Sequence, residues 1–470
     1  MSLSLNHEAN VALLASRLRV VENFDIIERH LSVAGQDVCF FYVDGFTKDS
    51  EMQRLMQYLL SQKSLTDAGA LVSSLPYIEV ALGREADRLV TAVLSGETLL
   101  LSSAFPSESI VIDLRTYPAR STEEPDTDRV MQGAHDGFVE TLIMNTALIR
   151  RRIRDPRLTM RHFDLGGSSH TDVVMCYVEG VADAETVKAL ARKLESVRPA
   201  GVCLGYQSLA ESLIRHGWLN PFPKIRLTER PDTASAQLLE GSILVISDTT
   251  PQVMILPTSI FDFIQQTDDF YFPPITGTYL RIVRFAMLLL SMVVTPLWYL
   301  CVEYSDTLPH YLAFLVPDNP GALPIILQLL LIEAAIDGLK IASMNTPDML
   351  SNSLSVVGAL LLGDFAVGVG WVCEDVILYM AFVAIASFAQ QNAELGYALK
   401  FVRVATLIFT YFFGIIGLPL GGVLLIVLVA TNVTVTGRFR YLYPLVPFEP
   451  RRLLRLFFRG KKRDVGTKGR

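Results

Sequence analysis

The sequence repeats itself: DVCFFYVDGFTKDSEMQRL, residues 37–55, aligns without a gap with DVVMCYVEGVADAETVKAL, residues 172–190. In each copy an apolar run too short for a helix leads through an acid and a glycine into a segment with helical periodicity. A second echo follows in the same order, because GETLLLSSAFP at residues 96–106 matches GSILVISDTTP at residues 241–251. Two echoes in one order indicate an internal duplication.

The repeat predicts an α/β soluble region with two subdomains, at residues 33–122 and 168–275. Each is expected to contain a strand, a helix, a connecting segment, a second helix and a pair of strands, with the second helix at about residues 84–94 and 231–239. Residues 1–32 are predicted to form a helical segment in front of them, from the amphipathic spacing that starts at residue 6. The acid-glycine turns, Asp44-Gly45 and Glu179-Gly180, are either a ligand loop or, as we favour, plain turns in which glycine supplies a positive φ.

Residues 123–167 are predicted to connect the two subdomains through a basic helix. Its apolar and polar positions recur at helical spacing and lead into an arginine cluster. The spaced positions are Val130, Phe138, Leu142, Asn145 and Ile149, and the cluster contains Arg150, Arg151, Arg152 and Arg154. These arginines are candidates for coupling to a neighbouring subunit or for contact with lipid headgroups, and the alternative is a solvated basic helix end.

An all-α polytopic membrane domain is predicted at residues 276–437, because long runs there lack Asp, Glu, Lys and Arg. The runs are residues 285–302, 319–332, 349–363, 376–393 and 404–437. The last is too long for one span, and its glycines predict a hairpin. Alternating charged loops, with Lys400 and Arg403 as markers of a cytoplasmic one after the fourth run, fit six crossings, with four or five as alternatives. Both termini are then cytoplasmic, which agrees with the lack of a signal peptide in residues 1–36.

The basic tail, residues 438–470, carries eleven Lys and Arg against two acids. Its position directly after the last apolar run predicts contact with membrane lipid rather than with nucleic acid, since no base-reading fold accompanies it.

Two carboxylates stand just after the second apolar run, within the stretch LPIILQLLLIEAAIDGLKIA at residues 323–342. Glu333 and Asp337 are four residues apart and therefore share one helical face. They are candidates for a pore or ion pathway, and a local pair of Asp337 with Lys340 is the alternative. A polar stripe at the third run is an alternative set of pore-lining residues, and it could equally pack against another helix. Its members are Asp348, Asn352, Ser355 and Ala359.

No pattern for catalysis or cofactor binding is present in the sequence. The five cysteines form no CxxC and no metal-ligand spacing with histidine, and neither GxSxG nor a phosphate-loop lysine occurs. We therefore expect no enzymatic activity, no cofactor and no metal.

Several motifs resemble the spore germination A-subunit (GerA) family. They are GAHDGFVE at 133–140, Asn145, LIRRRIR at 148–154, SVVGALLLGDFAVGVGW at 355–371 and MAFVAIASFAQ at 380–390. Within the family, RRRIRDPRLTMRHF at 150–163, SNSLSVVGALLLGDFAV at 351–367 and ELGYALKFVR at 394–403 resemble its stage V sporulation branch.

The resemblance implies a multi-spanning protein of the spore inner membrane that acts in germination. It further implies a homo-oligomer, as a pentamer, that conducts cations, works with a small membrane partner and amplifies ion release after germinant receptor complexes respond. The first hypothesis is therefore an oligomeric cation-channel subunit. The alternatives are a non-conducting scaffold and, third, a secondary transporter.

Overall fold

The computed structural model of this 470-residue chain describes residues 2–116, 130, 132–197, 205–214, 219–266, 268–344, 366–390, 392–437 and 441–458. Two units built on β-sheets occupy the first part of the chain, and helices occupy the rest.

The first unit combines helices with five strands. Its elements in order are α1 (His7–Leu18), β1 (Ile26–Val33), β2 (Gln36–Val43), α2 (Asp49–Leu60), α3 (Ala68–Ser74), β3 (Val80–Gly83), α4 (Ala86–Leu94), β4 (Thr98–Ser102) and β5 (Ser109–Ile112). α1 begins where the side chain of Asn6 accepts a hydrogen bond from the Ala9 amide, and it ends at Arg19, whose φ of 57° is left-handed.

The second unit has the same kinds of element in the same order. They are α5 (Leu142–Arg152), β6 (Leu158–Leu165), β7 (Thr171–Val178), α6 (Ala184–Glu195), α7 (Tyr206–Leu213), β8 (Arg226–Thr228), α8 (Pro231–Leu239), β9 (Ile243–Ser247) and β10 (Val253–Leu256). The strand orders also correspond, β1-β2-β4-β5-β3 in one sheet and β6-β7-β9-β10-β8 in the other.

Each sheet lies between two layers of helices. In the first unit α1 and α4 pack on Cys39 and Phe41, while α2 and α3 pack on Phe40 and Leu100 of the opposite face. The mixture of helices and strands agrees with the α/β prediction, but every strand pair is antiparallel. Continuous apolar strands are typical of buried parallel sheets, and here helices on both faces produce the same pattern in antiparallel ones.

Two parts of the helix prediction are wrong. The helix expected from residue 6 to 32 ends at Leu18, because residues 26–33 instead pair with β2 across a turn in which Ala34 and Gly35 both have positive φ. The connecting helix is limited to α5, and β6 begins six residues after it, at Leu158. Residues 26–33 and 158–165 mix charged and apolar residues without a clear period, so periodicity alone did not separate helix from strand there.

The acid-glycine turns are tight turns at the ends of β2 and β7. Gly45 and Gly180 have φ of 79° and 77°, and the carboxylate of Asp44 accepts a hydrogen bond from the Gly45 amide at 2.9 Å. The interpretation of glycine as the source of positive φ is confirmed.

The helical part begins after a 3₁₀ turn at Ile260–Phe263. Its helices are α9 (Asp268–Tyr271), α10 (Pro274–Glu303), α11 (Ile325–Met344), α12 (Ala366–Gly368), α13 (Glu374–Phe388), α14 (Ala393–Phe413), α15 (Gly417–Thr431) and α16 (Pro450–Phe457). Among the residues described, two helical stretches are long and apolar enough to cross a membrane, Pro274–Glu303 and Ala393–Thr431.

The second of these stretches turns back on itself. α14 ends at Gly414, whose φ is 59°, and a short 3₁₀ turn leads into α15. A Cβ at Gly417 would overlap Thr410, and one at Gly421 would overlap Thr406, so the two helices pack in antiparallel register. The predicted glycine hairpin is confirmed.

Candidate functional site

A cluster of two carboxylates and two cations joins α11 to α14. We call it the ion-pair cluster: Glu333 and Asp337 on α11, Lys400 and Arg403 on α14. Arg403 Nη2 donates to Glu333 Oε1 at 2.6 Å, and Lys400 Nζ lies 3.7 Å from the same oxygen. Lys400 also pairs with Asp337. Spacings of four and three residues place each pair of like charges on one helical face.

The Glu333–Arg403 pair of the cluster is buried among apolar helices, whereas Asp337 and Lys400 are half-buried. Glu333 is 8% exposed and Arg403 is 6% exposed. Arg403 Nη1 also donates to the backbone oxygen of Ser291 at 3.3 Å, so the cluster includes α10. A buried charge without a partner is strongly destabilising, whereas a paired one is tolerated. The four side chains therefore neutralise one another and hold three helices together.

The structure places the predicted carboxylates on one face of α11, and their role in a pore or ion pathway stays a prediction. The alternative local pair of Asp337 with Lys340 is wrong, because Asp337 pairs with Lys400. Lys340 Nζ instead donates to Ser387 Oγ at 2.9 Å and lies 4.9 Å from the centre of the Phe388 ring. The predicted stripe of Asp348, Asn352, Ser355 and Ala359 lies outside the described residues.

The partners of the carboxylates were not identified from sequence, where Lys400 and Arg403 served only as markers of a cytoplasmic loop. In the structure both lie inside a helix, where Arg403 is buried and Lys400 is half-buried. Their spacing of three, like the spacing of four between the acids on α11, puts both charges on one helical face, and this was the signal available in the sequence.

The predicted arginine cluster divides between buried and exposed positions. Arg150 is 0% exposed and donates to both carboxylate oxygens of Asp25, so it cannot contact a lipid headgroup. Arg152 pairs with Asp136 at 2.6 Å, Arg154 donates to Ser95 at 3.3 Å, and Arg151 is exposed. A coupling role for these arginines stays a prediction.

A junction links the second unit to the helical part of the chain. Asn432, which directly follows α15, is 0% exposed; its Oδ1 accepts from Lys224 Nζ at 2.7 Å and its Nδ2 donates to Pro223 O at 3.1 Å. Lys193 of α6 donates to the Val435 carbonyl at 2.6 Å. The chain after the hairpin is thus fastened to the second sheet unit.

A cavity of about 310 Å³ opens at this junction. Its lining includes Tyr206, Phe222, Lys224, Glu394 and Tyr397. Burial lowers the pKa of Lys224, and the nearby Glu394 carboxylate opposes that change.

Replacing Asn432 by Leu is expected to lower the free energy of unfolding by about 2–3 kcal/mol, because a buried ammonium and a buried carbonyl each lose a hydrogen bond. The melting temperature of the purified protein in detergent measures the effect. Thr431→Val is the control, since the Thr431 hydroxyl is exposed and bonds only to carbonyls of its own helix. Equal shifts in the melting temperature of Asn432→Leu and Thr431→Val would contradict a stabilising role of Asn432 at the junction.

Comparison with known proteins identifies the class to which this arrangement belongs. The family model for the Bacillus/Clostridium GerA spore germination protein matches residues 13–468. Stage V sporulation protein AF of Bacillus subtilis (strain 168) is 34% identical over 462 residues, which cover 97% of this chain and 93% of that protein. The uncharacterized membrane protein YfkQ of the same organism is 29% identical, with 86% of this chain and 79% of that protein covered.

Among solved structures, the N-terminal domain of the A subunit of the Bacillus megaterium spore germinant receptor GerK3 is similar to this chain. The match covers 54% of this chain and 96% of that chain, with a TM-score of 0.42 and 24% identity.

The chain belongs to the GerA family of spore germination proteins, and a role in germination follows from that membership. The stage V sporulation protein is similar to it over nearly the whole length of both chains. The resemblance noted in the motifs is therefore confirmed.

Proposed function

We propose that this protein is a subunit of an oligomeric cation channel in the spore inner membrane, which releases monovalent ions during germination. Membership of the GerA family supports a role in germination. The main support for a channel is the ion-pair cluster. Burying carboxylates among apolar helices costs free energy, and such carboxylates are typical of ion pathways. The exposed apolar side chains of the hairpin, such as Phe412 at 71% and Ile426 at 67%, provide a surface for lipid or for neighbouring subunits.

In the described arrangement, Lys400 and Arg403 occupy the positions beside the carboxylates that a permeating cation would need. We infer that this arrangement is the closed one. A shift of α14 relative to α11 would withdraw the two cations and leave Glu333 and Asp337 facing a low-dielectric space, where they attract a monovalent cation. The ion-pair cluster would then act as the gate.

The junction provides the route by which the sheet units reach this gate. α14 forms the hairpin with α15, and α15 leads into Asn432, which bonds to the second unit. Duplicated sheet units that assemble around a shared axis, as pentamers or another ring, would move the hairpin together. We propose that a small membrane partner and germinant receptor complexes act on this apparatus, with six crossings and both termini on the core side of the membrane.

A non-conducting scaffold is the second candidate. The observation in its favour is that the carboxylates in the ion-pair cluster find cations within the same chain and need no permeating ion. Such a protein would use the cluster only to hold α10, α11 and α14 together.

Ion flux from liposomes tests the two candidates. The purified protein, reconstituted with its membrane partner, is expected to release K⁺ faster than empty vesicles. Glu333→Gln combined with Asp337→Asn leaves Lys400 and Arg403 as uncompensated buried cations, so we expect cation flux to fall by about tenfold or more. The exposed Asp306→Asn is the matched control and should not change flux.

Absence of flux from an assembled preparation would eliminate the channel and leave the scaffold. Flux that is the same in wild-type and double-variant protein would retain a channel but remove the ion-pair cluster from its pathway.

A further inference from the structure

Three potential metal ligands meet on one face of the first sheet, outside the helical part of the chain. Antiparallel pairing places His30 of β1 directly opposite Cys39 of β2, and Glu28 lies two residues from His30 on the same face. His30 Nε2 lies 2.8 Å from Glu28 Oε1 and 3.9 Å from Cys39 Sγ. All three ligand atoms lie within 4.8 Å of one another.

These separations match the size of a zinc coordination shell. With metal–ligand bonds of about 2.0–2.3 Å in a tetrahedron, neighbouring ligand atoms are about 3.5 Å apart. A single ring nitrogen, His30 Nε2, already faces both other donors, so a metal ion would replace the proton between His30 and Glu28. Shifts of less than about 1 Å in the side chains would complete the geometry.

We propose that Glu28, His30 and Cys39 bind a borderline divalent transition metal such as Zn²⁺, with a water molecule as the fourth ligand. Thiolate, imidazole and carboxylate together suit zinc better than Mg²⁺ or Ca²⁺, which prefer oxygen. Cys39, which is 0% exposed, lies at the inner end of the site. His30, whose side chain is 59% exposed, lies at the end that is open to solvent. Binding releases the thiol proton of Cys39 to solvent.

The second sheet unit provides an internal comparison. His162 occupies the position in β6 that His30 occupies in β1, and each histidine follows an arginine. However, Val174 stands opposite His162, and Met160 takes the place of Glu28. The donor set is therefore specific to the first unit, where the metal would fasten β1 to β2.

Metal titration of the full-length protein tests the site. Tag-free protein in detergent is stripped with a chelator and titrated with Zn²⁺ and, separately, with Co²⁺. We expect one tightly bound ion per chain, with a thiolate-to-cobalt charge-transfer absorption. His30→Asn and Cys39→Val should each weaken Zn²⁺ binding by more than about 100-fold, because loss of a ligand exceeds the effect of losing an outer-shell partner.

His162→Asn is the matched control and should bind Zn²⁺ as the wild-type protein does. Because His30 is exposed, His30→Asn keeps the fold, and this variant tests the site even where Cys39→Val fails to fold. The proposal is overturned if the wild-type protein binds no metal, if His30→Asn binds it equally well, or if bound Co²⁺ shows no thiolate absorption.

Discussion

Replacing Arg150 by Met is expected to lower the free energy of unfolding by about 3–5 kcal/mol, because it leaves the buried carboxylate of Asp25 without a cation. Arg150 Nε and Nη2 donate to the two oxygens of Asp25 at 2.8 and 3.0 Å, and Asp25 is 1% exposed. Arg150 belongs to α5 of the second unit, whereas Asp25 directly precedes β1 of the first. The pair therefore joins the two sheet units.

Thermal unfolding of the full-length protein in detergent, followed by circular dichroism, measures this loss. Arg157→Met is the control, because Arg157 is 61% exposed and its pair with Asp155 lies at the surface, where such pairs contribute about 0–1 kcal/mol. Adding Asp25→Asn to Arg150→Met should recover part of the stability, since it removes the buried charge. If Arg150→Met and Arg157→Met had similar melting temperatures, the joining role would be wrong.

Replacing Gly417 by Ala is expected to disrupt the α14–α15 hairpin. A Cβ at this position would overlap the backbone of Thr410, which cannot rotate away as a side chain can. Overpacking usually costs about 1–3 kcal/mol, and a collision with backbone lies at or above the upper end of that range. We expect a lower melting temperature in detergent and a smaller fraction of protein that elutes as a monodisperse species.

Gly422 supplies the matched control, because it lies in the same helix and a Cβ there would meet nothing within 4 Å. Gly422→Ala should be neutral or should stabilise the helix by up to about 1 kcal/mol through helix propensity. A normal hairpin in Gly417→Ala would show that the two helices pack less closely than the structure places them.

Much of the soluble architecture was predictable from local patterns. The strand at Gln36–Val43, the helix at Asp49–Leu60 and the helices at Ala86–Leu94 and Pro231–Leu239 all lie where the repeated phrases and their periodicity predicted them. These elements carry their own signals, since a short apolar run and an amphipathic segment differ in period. The first strand of each sheet was missed, because Ile26–Val33 and Leu158–Leu165 mix charged and apolar residues without a clear period.

Only the two carboxylates of the ion-pair cluster were predictable from the sequence, and their two cationic partners were not. Glu333 and Asp337 stood out because carboxylates are rare in apolar helices. Lys400 and Arg403 follow about 65 residues later, and charge patterning suggested a loop for them. Which cation meets which carboxylate depends on how α11 and α14 pack, and no period within either helix records that choice.

By itself the sequence determined the repeated order of elements, the apolar character of the helices and the hairpin at Gly414, because each depends on neighbouring residues and their spacing. Only the tertiary structure decided which charged and ligating groups meet: Arg150 with Asp25, Arg403 with Glu333, and His30 with Cys39. Such pairs are selected by strand register and helix packing, which bring together residues that lie far apart along the chain. The physical reason is that a buried charge or donor must find its partner through space, and only the complete fold supplies that geometry.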